Sequence, residues 1–228
     1  MPQSTAGVRE IVVPGEPINC EGRKPGFGIY GKGGHYYAST LGLRTDKPNF
    51  VDVIPLAGRY VPFSGDEVIG TVSGINTSSW LLDISSPYPA LLHASESPWK
   101  VEFNATAKYL EIGDNVTAVI LSVDDSKHVQ VTMREQGLKK LNGGHIVEVT
   151  FGKVPRVIGR KGSMMEMLKS ETGCKLIVGR NGKIWIDGPI EKVLLVAKAI
   201  EMIDTGAQTF GLTDRVREFL RNGNSGRE

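Results

Sequence analysis

The stretch Val157-Ile158-Gly159-Arg160-Lys161-Gly162 decides the fold of the last third of the chain. Its two glycines let the backbone turn sharply and approach another molecule closely. The two cations between them favour an anionic ligand at the start of a following helix. That helix is predicted over Ser163 to Gly173, because Glu166 three residues after Ser163 fits a capping box and Gly173 is a typical helix end. The stretch therefore predicts a cationic turn between two helices.

The elements on either side of this turn complete the order β-α-α-β-β-α. Ile146 to Val149 is rich in strand formers, and two more strand-like runs are joined by Asn181-Gly182, a pair that permits the positive φ angles of a tight hairpin. Those two runs are Cys174 to Val178 and Lys183 to Asp187. A last helix follows Gly188-Pro189, with apolar residues at helical spacing.

This order, with Gly-X-X-Gly between the first two helices, resembles a type I KH domain. Alone, the tetrapeptide Gly-Arg-Lys-Gly would indicate only a basic surface turn, because short motifs occur by chance; its position among these elements favours the KH domain. The resemblance implies that the loop clamps about four nucleotides of single-stranded nucleic acid, with the bases along an apolar groove. The residues assigned to RNA binding are Gly159, Arg160, Lys161 and Gly162, with Val157, Ile158, Leu176 and Ile177 as groove candidates.

Five strand-like runs between residues 65 and 134 predict an OB-type barrel. The runs are Asp66 to Ile75, Trp80 to Ile84, Ala90 to Ala94, Asn115 to Val123 and Val129 to Met133. The block resembles an S1 domain in the stretches Gly65-Asp66-Glu67-Val68, Leu92-His93-Ala94-Ser95-Glu96 and Gly113-Asp114-Asn115-Val116. From this resemblance, His93 and Asp124 match positions on the family's binding surface. We assign His93 and Lys127 to RNA binding.

The barrel departs from the S1 pattern where bases usually stack. Ser78 and Leu81 stand where we expect two aromatic rings, each worth about 1–3 kcal/mol per stacked base. Residues 64–135 contain four basic and ten acidic side chains, a net charge of −6, whereas residues 152–186 contain eight basic and two acidic ones, a net charge of +6. We expect the later segment to dominate the attraction to nucleic acid, and the barrel either to guide RNA or to contact protein.

Three features of the barrel segment have two interpretations each. Trp80 fits a core or interdomain anchor better than an RNA platform, because buried aromatic rings dominate packing. His93 fits barrel packing and RNA contact equally well. Asp124-Asp125 indicates an acidic turn, since adjacent carboxylates without ligand partners do not make a metal site.

The N-terminal segment contains a glycine pattern that we reject as a nucleotide site. Gly26-Phe27-Gly28-Ile29-Tyr30-Gly31 spells a dinucleotide-binding pattern and, with Lys32, nearly spells a phosphate loop. Both need a preceding strand and a following helix, yet the chain continues Lys32-Gly33-Gly34-His35-Tyr36-Tyr37, so we predict a β turn. The four histidines are scattered and no acid–base pair, nucleophile or zinc constellation emerges. We expect a protein that is not an enzyme and holds no metal or cofactor.

The cysteines and the apolar runs indicate the compartment. Cys20 and Cys174 fit neither a disulfide scaffold nor a zinc site. The first residues lack the basic and apolar regions of a leader, and the apolar stretches are too short to span a bilayer. We expect a cytoplasmic protein without a membrane partner.

The chain as a whole is predicted to be multidomain and β-rich with an α+β part. The predicted domains are an N-terminal β domain (1–63), a five-stranded OB-type S1 barrel (64–136), a type I KH domain (145–205) and a C-terminal extension (206–228). Asn142-Gly143-Gly144 predicts a flexible joint before the KH domain. Residues 214–220 predict one or two helical turns, followed by a frayed tail from Asn222.

This order of domains resembles the RNA-binding cap subunit of the archaeal exosome, and Pro14-Gly15-Glu16 and residues 51–60 resemble its N-terminal domain. The resemblance implies a non-catalytic subunit, present in three copies and docked through its N-terminal domain on a ring of RNase PH-like subunits that degrades single-stranded RNA from the 3′ end. A transcription elongation factor, a ribosome-associated RNA-binding module and a polynucleotide phosphorylase remain open. Elongation factors usually carry two KH domains, and the phosphorylase places KH before S1.

Overall fold

The computed structural model describes residues 10–46, 48–56, 58–102, 104–124, 126–206 and 211–225. The chain divides into two compact units, one ending at Gly58 and one beginning at Arg59. Among the described residues, strands dominate the first unit and the barrel of the second, and the α-helices all lie after residue 153. The predicted fold class, a β-rich chain of several domains with an α+β end, is confirmed.

The described residues of the first unit form six short strands. They are β1 (Ile11–Val12), β2 (Lys24–Pro25), β3 (Ile29–Lys32), β4 (His35–Ala38), β5 (Gly42–Asp46) and β6 (Phe50–Pro55). Four of them form a sheet in the order β1-β5-β6-β2, while β3 and β4 form a separate antiparallel hairpin. One side of the sheet covers a small core that includes Val12, Ala38, Val51 and Val53.

The other side of this sheet carries aliphatic side chains that are not covered. Ile11 pairs with Leu43 and Leu43 with Ile54, so the three lie in one row. The next row contains Val13, Leu41 and Leu56. We call these six residues the aliphatic face. Ile11, Val13, Leu41, Ile54 and Leu56 are between 39 and 61% exposed, which marks a surface that a partner could bury.

The barrel opens the second unit and closes through five strands, as the sequence predicts. They are β7 (Glu67–Ile75), β8 (Ser79–Asp83), β9 (Ala90–His93), β10 (Asn115–Val123) and β11 (Val129–Thr132). β7 pairs with β8 and β10, β8 with β9, and β10 with β11, all antiparallel, and the parallel pair β9–β11 closes the ring. A short β12 (Lys140–Leu141) adds to β10. The inward side chains interdigitate around Trp80, Leu82, Leu92 and Ile120.

The KH domain follows with the predicted β-α-α-β-β-α order. Its elements are β13 (His145–Glu148), α1 (Val154–Ile158), α2 (Ser163–Thr172), β14 (Lys175–Val178), β15 (Lys183–Asp187) and α3 (Ile190–Thr205). The sheet order is β13-β15-β14. Leu176, Ile184 and Ile186 point to the helices and share a core with Val193 and Ile200.

The C-terminal segment forms a longer helix than we predicted. α4 runs over Leu212–Ser225, 14 residues, where one or two turns and a frayed tail from Asn222 were expected. Val216 and Leu220 are fully buried in the KH core, and Arg221 forms an ion pair with Glu171 of α2 at 3.3 Å. Burial of this apolar stripe stabilises turns that local propensity alone does not predict.

The turn between β14 and β15 docks the KH domain on the barrel. Asn181 is 3% exposed, and its side-chain amide donates to the carbonyl oxygens of Ile69 at 2.8 Å and Ile84 at 3.0 Å. The same side chain accepts a hydrogen bond from the Ile69 amide at 3.2 Å. Gly182 has the positive φ that the Asn-Gly pair predicted, whereas Asn181 does not adopt a positive φ.

Lys183 is a buried cation at the same contact. Its ammonium group donates to the Thr71 hydroxyl, the Asp83 carbonyl and the Asp83 carboxylate, all at 3.0–3.1 Å. Desolvation opposes the charge of Asp83, but hydrogen bonds from the Ser85 amide and from Lys183 hold the pKa of that carboxyl below its usual value. The charge of Lys183 is therefore neutralised by Asp83 within the protein.

Apolar contacts complete the contact between barrel and KH domain. Trp185 packs with Ile69 and Leu141, and its indole N–H donates to the Gly143 carbonyl at 2.8 Å. A Cβ atom on Gly144 would lie 2.5 Å from the indole nitrogen of Trp185. The glycine pair that we expected to form a flexible joint is therefore packed against the KH sheet.

Candidate nucleic-acid interface

The GXXG loop, Gly159 to Gly162, joins α1 to α2 as predicted. Gly159 has φ 77° and ψ 174°, a combination that only glycine adopts readily. A Cβ atom there would lie 2.6 Å from the Met164 amide nitrogen, so the backbone of α2 approaches too closely for any side chain. Gly162 has φ 81° with open space around it. The two glycines are thus required for different reasons.

The loop presents its two cations to solvent. Arg160 and Lys161 are both exposed, and Lys161 adopts φ 52° and ψ 31°, a left-handed conformation that costs a non-glycine residue about 1 kcal/mol. No side chain caps α2, whose N-cap is Gly162. The predicted capping box of Ser163 and Glu166 is wrong, because Ser163 already lies inside the helix. The Ser163 amide donates to the Arg160 carbonyl, and no side chain from the N-cap reaches the amides that follow it in α2.

The charge of this segment is concentrated at the loop. Of its eight cations, four are held in ion pairs: Lys153 with Asp204, Lys175 with Asp187, Arg180 with Asp66 and Lys183 with Asp83. The other four, Arg156, Arg160, Lys161 and Lys169, form no ion pair with another described residue. They lie on α1, the GXXG loop and α2. Three of these four, Arg156, Arg160 and Lys161, are at or next to the loop, whereas Lys169 lies in the last turn of α2, so most of the unpaired cationic charge is near the loop.

The proposed groove residues do not all reach the surface beside the loop. Ile158 is half-buried at the end of α1, directly before Gly159. Val157 is 1% exposed and lies in the KH core, so it supports the loop from beneath and offers no surface for a base. Ile177 packs on the opposite side of the sheet, with Trp185 and the barrel, because successive strand residues alternate faces. Leu176 points to the helices and is 5% exposed.

The structure does not bring the two barrel candidates together. His93 is exposed at the end of β9, and its ring nitrogen Nδ1 accepts a hydrogen bond from the Ser95 amide. Lys127 is exposed in the turn between β10 and β11, with φ 66°. Since Val129 pairs with Ala90 at the start of β9, Lys127 and His93 lie toward opposite ends of the β9–β11 pair. Their assignment to RNA stays a prediction.

The other side chains weighed from the sequence have plain structural roles. Trp80 is fully buried in the barrel core, and its indole N–H finds no acceptor among the described residues. Asp124 accepts hydrogen bonds from the amide and ring of His128, and these lower the pKa of its carboxyl. Asp125 lies outside the described residues. Gly26–Gly31 leads into the β3–β4 hairpin and not into a helix.

The described residues contain no group of three His, Cys, Asp or Glu side chains placed to hold a metal ion. Within the same residues, each helix is too short or too polar to cross a membrane.

Asn181, Lys183 and α4 are the structural features that sequence reasoning missed. Gly179-Arg180-Asn181-Gly182 is a second glycine-flanked run, similar in spacing to the GXXG loop, although its sequence predicts only a hairpin turn. A Cβ atom on Gly179 would lie 2.9 Å from the Ile69 amide, so this turn is pressed against the barrel. The repeated glycine pattern is visible in the sequence, but the burial of this turn against the barrel is not.

A small β domain, an OB-type barrel and a type I KH domain in one chain define the class of multidomain proteins that join an S1-type barrel to a KH domain. Residues 9–57 match the family model described as the exosome RNA binding protein RRP4 N-terminal domain, and residues 144–192 match a KH domain model. The chain is 46% identical to the exosome complex component Rrp4 of Thermoplasma acidophilum, over 94% of this chain and 91% of that protein.

Two further relatives agree. The exosome complex component Rrp4 of Methanosarcina mazei is 46% identical, over 94% of this chain and 82% of its own length. A crystal structure described as that of an exosome complex RNA-binding protein is 36% identical, with a TM-score of 0.69, and covers 75% of this chain and all of its own. The chain therefore belongs to the Rrp4 family. These relatives fit the archaeal origin that the sequence resemblance implied.

Proposed function

We propose that this protein is a non-catalytic subunit that holds single-stranded RNA and delivers it to an RNase PH-like ring for degradation from the 3′ end. The observation that carries the proposal is the GXXG loop, where Arg160 and Lys161 are exposed and form no ion pair with another described residue, while Lys153, Lys175, Arg180 and Lys183 are held in ion pairs. The relatives are named exosome complex components or RNA-binding proteins, which supports the same role.

The RNA is expected to follow the loop through its backbone. The close approach allowed by Gly159 and Gly162, the uncapped start of α2 and the two cations together favour sugar-phosphate contacts. Ile158 supplies a half-buried apolar side chain next to the loop. His93 and Lys127 are proposed as weaker contacts on the barrel, whose net charge of −6 opposes strong binding.

Docking to the ring is assigned to the aliphatic face of the first unit. Five of its six side chains are well exposed, and an uncovered aliphatic surface of this kind is typical of a protein contact. Three copies seated on a six-membered ring would surround its entrance. Tethering RNA there raises its local concentration beside the catalytic subunits, as linked binding sites do in general.

The proposal includes a cytoplasmic location. Cys20 and Cys174 are both buried free thiols, which is usual in a reducing compartment.

Native purification tests the assembly. A tagged copy of the full chain, expressed in its own organism, is expected to bring down RNase PH-like subunits in a ratio of one copy to two ring subunits. The recovered complex should release nucleotides from the 3′ end of RNA, while the isolated chain should not. Recovery of RNA polymerase or ribosomal subunits without the ring would overturn the assignment.

The RNA-binding loop is tested by Arg160→Asp combined with Lys161→Asp. The double variant should bind single-stranded RNA about 100-fold more weakly at low salt, since each of the two cations makes a charge-assisted contact worth about 1.5 kcal/mol. The slope of log affinity against log salt should fall by about 2. Fluorescence anisotropy with a labelled oligonucleotide measures both quantities.

The matched control is Lys198→Asp combined with Arg215→Asp, which makes the same change of charge at two exposed positions on α3 and α4. This variant should keep most of the affinity. If both double variants lose affinity equally, RNA is attracted by overall charge and the loop has no special role.

A further inference from the structure

The β3–β4 hairpin carries an aromatic and cationic surface that the proposed function does not use. Tyr30 pairs directly with Tyr37 and Lys32 with His35 across the hairpin, so these four side chains lie on one side. We call this side the tyrosine face. Tyr36 pairs with Gly31 and points to the other side of the hairpin. This hairpin follows the glycine pattern, Gly26 to Gly31, that we rejected as a nucleotide-binding site.

The two rings of the tyrosine face form a stacked platform. The centroids of Tyr30 and Tyr37 are 5.6 Å apart, with an angle of 30° between the ring planes. Tyr30 is 44% exposed, so much of it remains available to another planar group. The platform is anchored at its base, because Ala38 is fully buried and Ile29 packs against the core of the first unit.

The charge of the tyrosine face is positive. Lys32 and His35 are both exposed, and neither forms an ion pair with another described residue. Glu16, whose backbone pairs with Ala38 at the base of the hairpin, directs its carboxylate to the Val13 amide at 2.9 Å. At the tip, Gly33 and Gly34 leave open space on both residues, which lets a polymer backbone approach closely.

We propose that the tyrosine face is a second contact for single-stranded RNA, in which a base stacks on Tyr30 and Lys32 faces a phosphate. Exposed tyrosines beside a cation are the chemistry of single-stranded nucleic-acid platforms. The aliphatic face of the same unit lacks both rings and cations, which is why we assign protein docking to that face and RNA to this one. The inference adds a contact to the proposed function and does not require the GXXG loop to bind.

The test compares Tyr30→Leu with Tyr36→Leu in the full chain. Removing the Tyr30 ring should weaken binding of single-stranded RNA by about 5-fold or more, the lower end of what one stacked base contributes. Tyr36→Leu removes an aromatic ring from the opposite side of the same hairpin and should leave the affinity unchanged. Tyr30→Phe keeps the ring and should bind like the parent, which separates ring stacking from a contact made by the hydroxyl group.

Photo-crosslinking gives a second measurement. An oligonucleotide with 5-iodouridine should crosslink to Tyr30 or Tyr37, located by mass spectrometry of the peptides, and should still do so in the Arg160→Asp, Lys161→Asp variant. That background separates failure of this site from failure of the loop. Equal affinity of Tyr30→Leu and parent, or crosslinks confined to the KH domain, would overturn the proposal. Loss of ring association by Tyr30→Leu with RNA affinity intact would identify the tyrosine face as a protein contact.

Discussion

At residue 159 the backbone conformation and the close approach of the Met164 amide together exclude every side chain. Gly159→Ala should lower the free energy of unfolding by about 2–4 kcal/mol, because the new Cβ would clash with the Met164 amide and because alanine is strained at φ 77°. Gly162→Ala faces strain alone, with open space around it, and should cost about 1 kcal/mol. Chemical denaturation of both variants measures the difference. An equal cost would contradict the close approach of α2 to the loop.

Lys161 also carries backbone strain, because it adopts a left-handed conformation although it is not a glycine. Lys161 is exposed, so crowding by neighbouring side chains does not add to the local cost of this conformation. The same position therefore combines local strain with exposed charge, as binding loops often do.

At the scale of elements, the β14–β15 turn joins two domains through one buried amide. Asn181→Ala should lower the free energy of unfolding by about 2–4 kcal/mol, because the Ile69 amide and the Ile69 and Ile84 carbonyls would remain buried without their partner. Denaturant titration of the full chain, followed by tryptophan fluorescence, measures this loss.

Arg180→Ala is the control for that change, since Arg180 lies in the same turn but is 70% exposed in its ion pair with Asp66. It should cost less than about 1 kcal/mol. The Asp66 carboxylate also accepts a hydrogen bond from the Tyr60 hydroxyl at 2.7 Å. Burial is the main cause that raises the pKa of the Tyr60 phenol, and this hydrogen bond is the second, so Tyr60 stays a neutral donor. If Arg180→Ala is as damaging as Asn181→Ala, the surface ion pair rather than the amide holds the contact.

At the scale of the whole molecule, different surfaces are suited to different partners. Leu41→Glu should weaken association with RNase PH-like subunits by about 30-fold or more, as loss of a central apolar contact does, while RNA affinity stays unchanged. Ile112→Glu places the same charge at another exposed apolar position and should keep the association. Co-purification and RNA titration of the two variants provide the check. Association that survives Leu41→Glu would exclude the aliphatic face as the docking surface.

The order of elements could be predicted because its signals are local. Glycines at 159, 162 and 173 act through φ angles and contacts within a few residues, and Asn115–Val123 was recognised from its own composition. The net charge of +6 over residues 152–186 also follows directly from the sequence. Its distribution was not predictable, since the ion pair of Lys183 with Asp83 joins residues 100 positions apart.

The sequence alone determined the barrel, the KH order and the glycine-flanked cationic loop, because turn geometry and strand alternation are encoded between near neighbours. Only the tertiary structure decided that Ile177 meets the barrel while Leu176 meets the helices. Both are aliphatic, and alternation places them on opposite faces without saying which face is which. It likewise decided the length of α4 and the burial of Asn181, since both depend on packing against surfaces that distant parts of the chain supply.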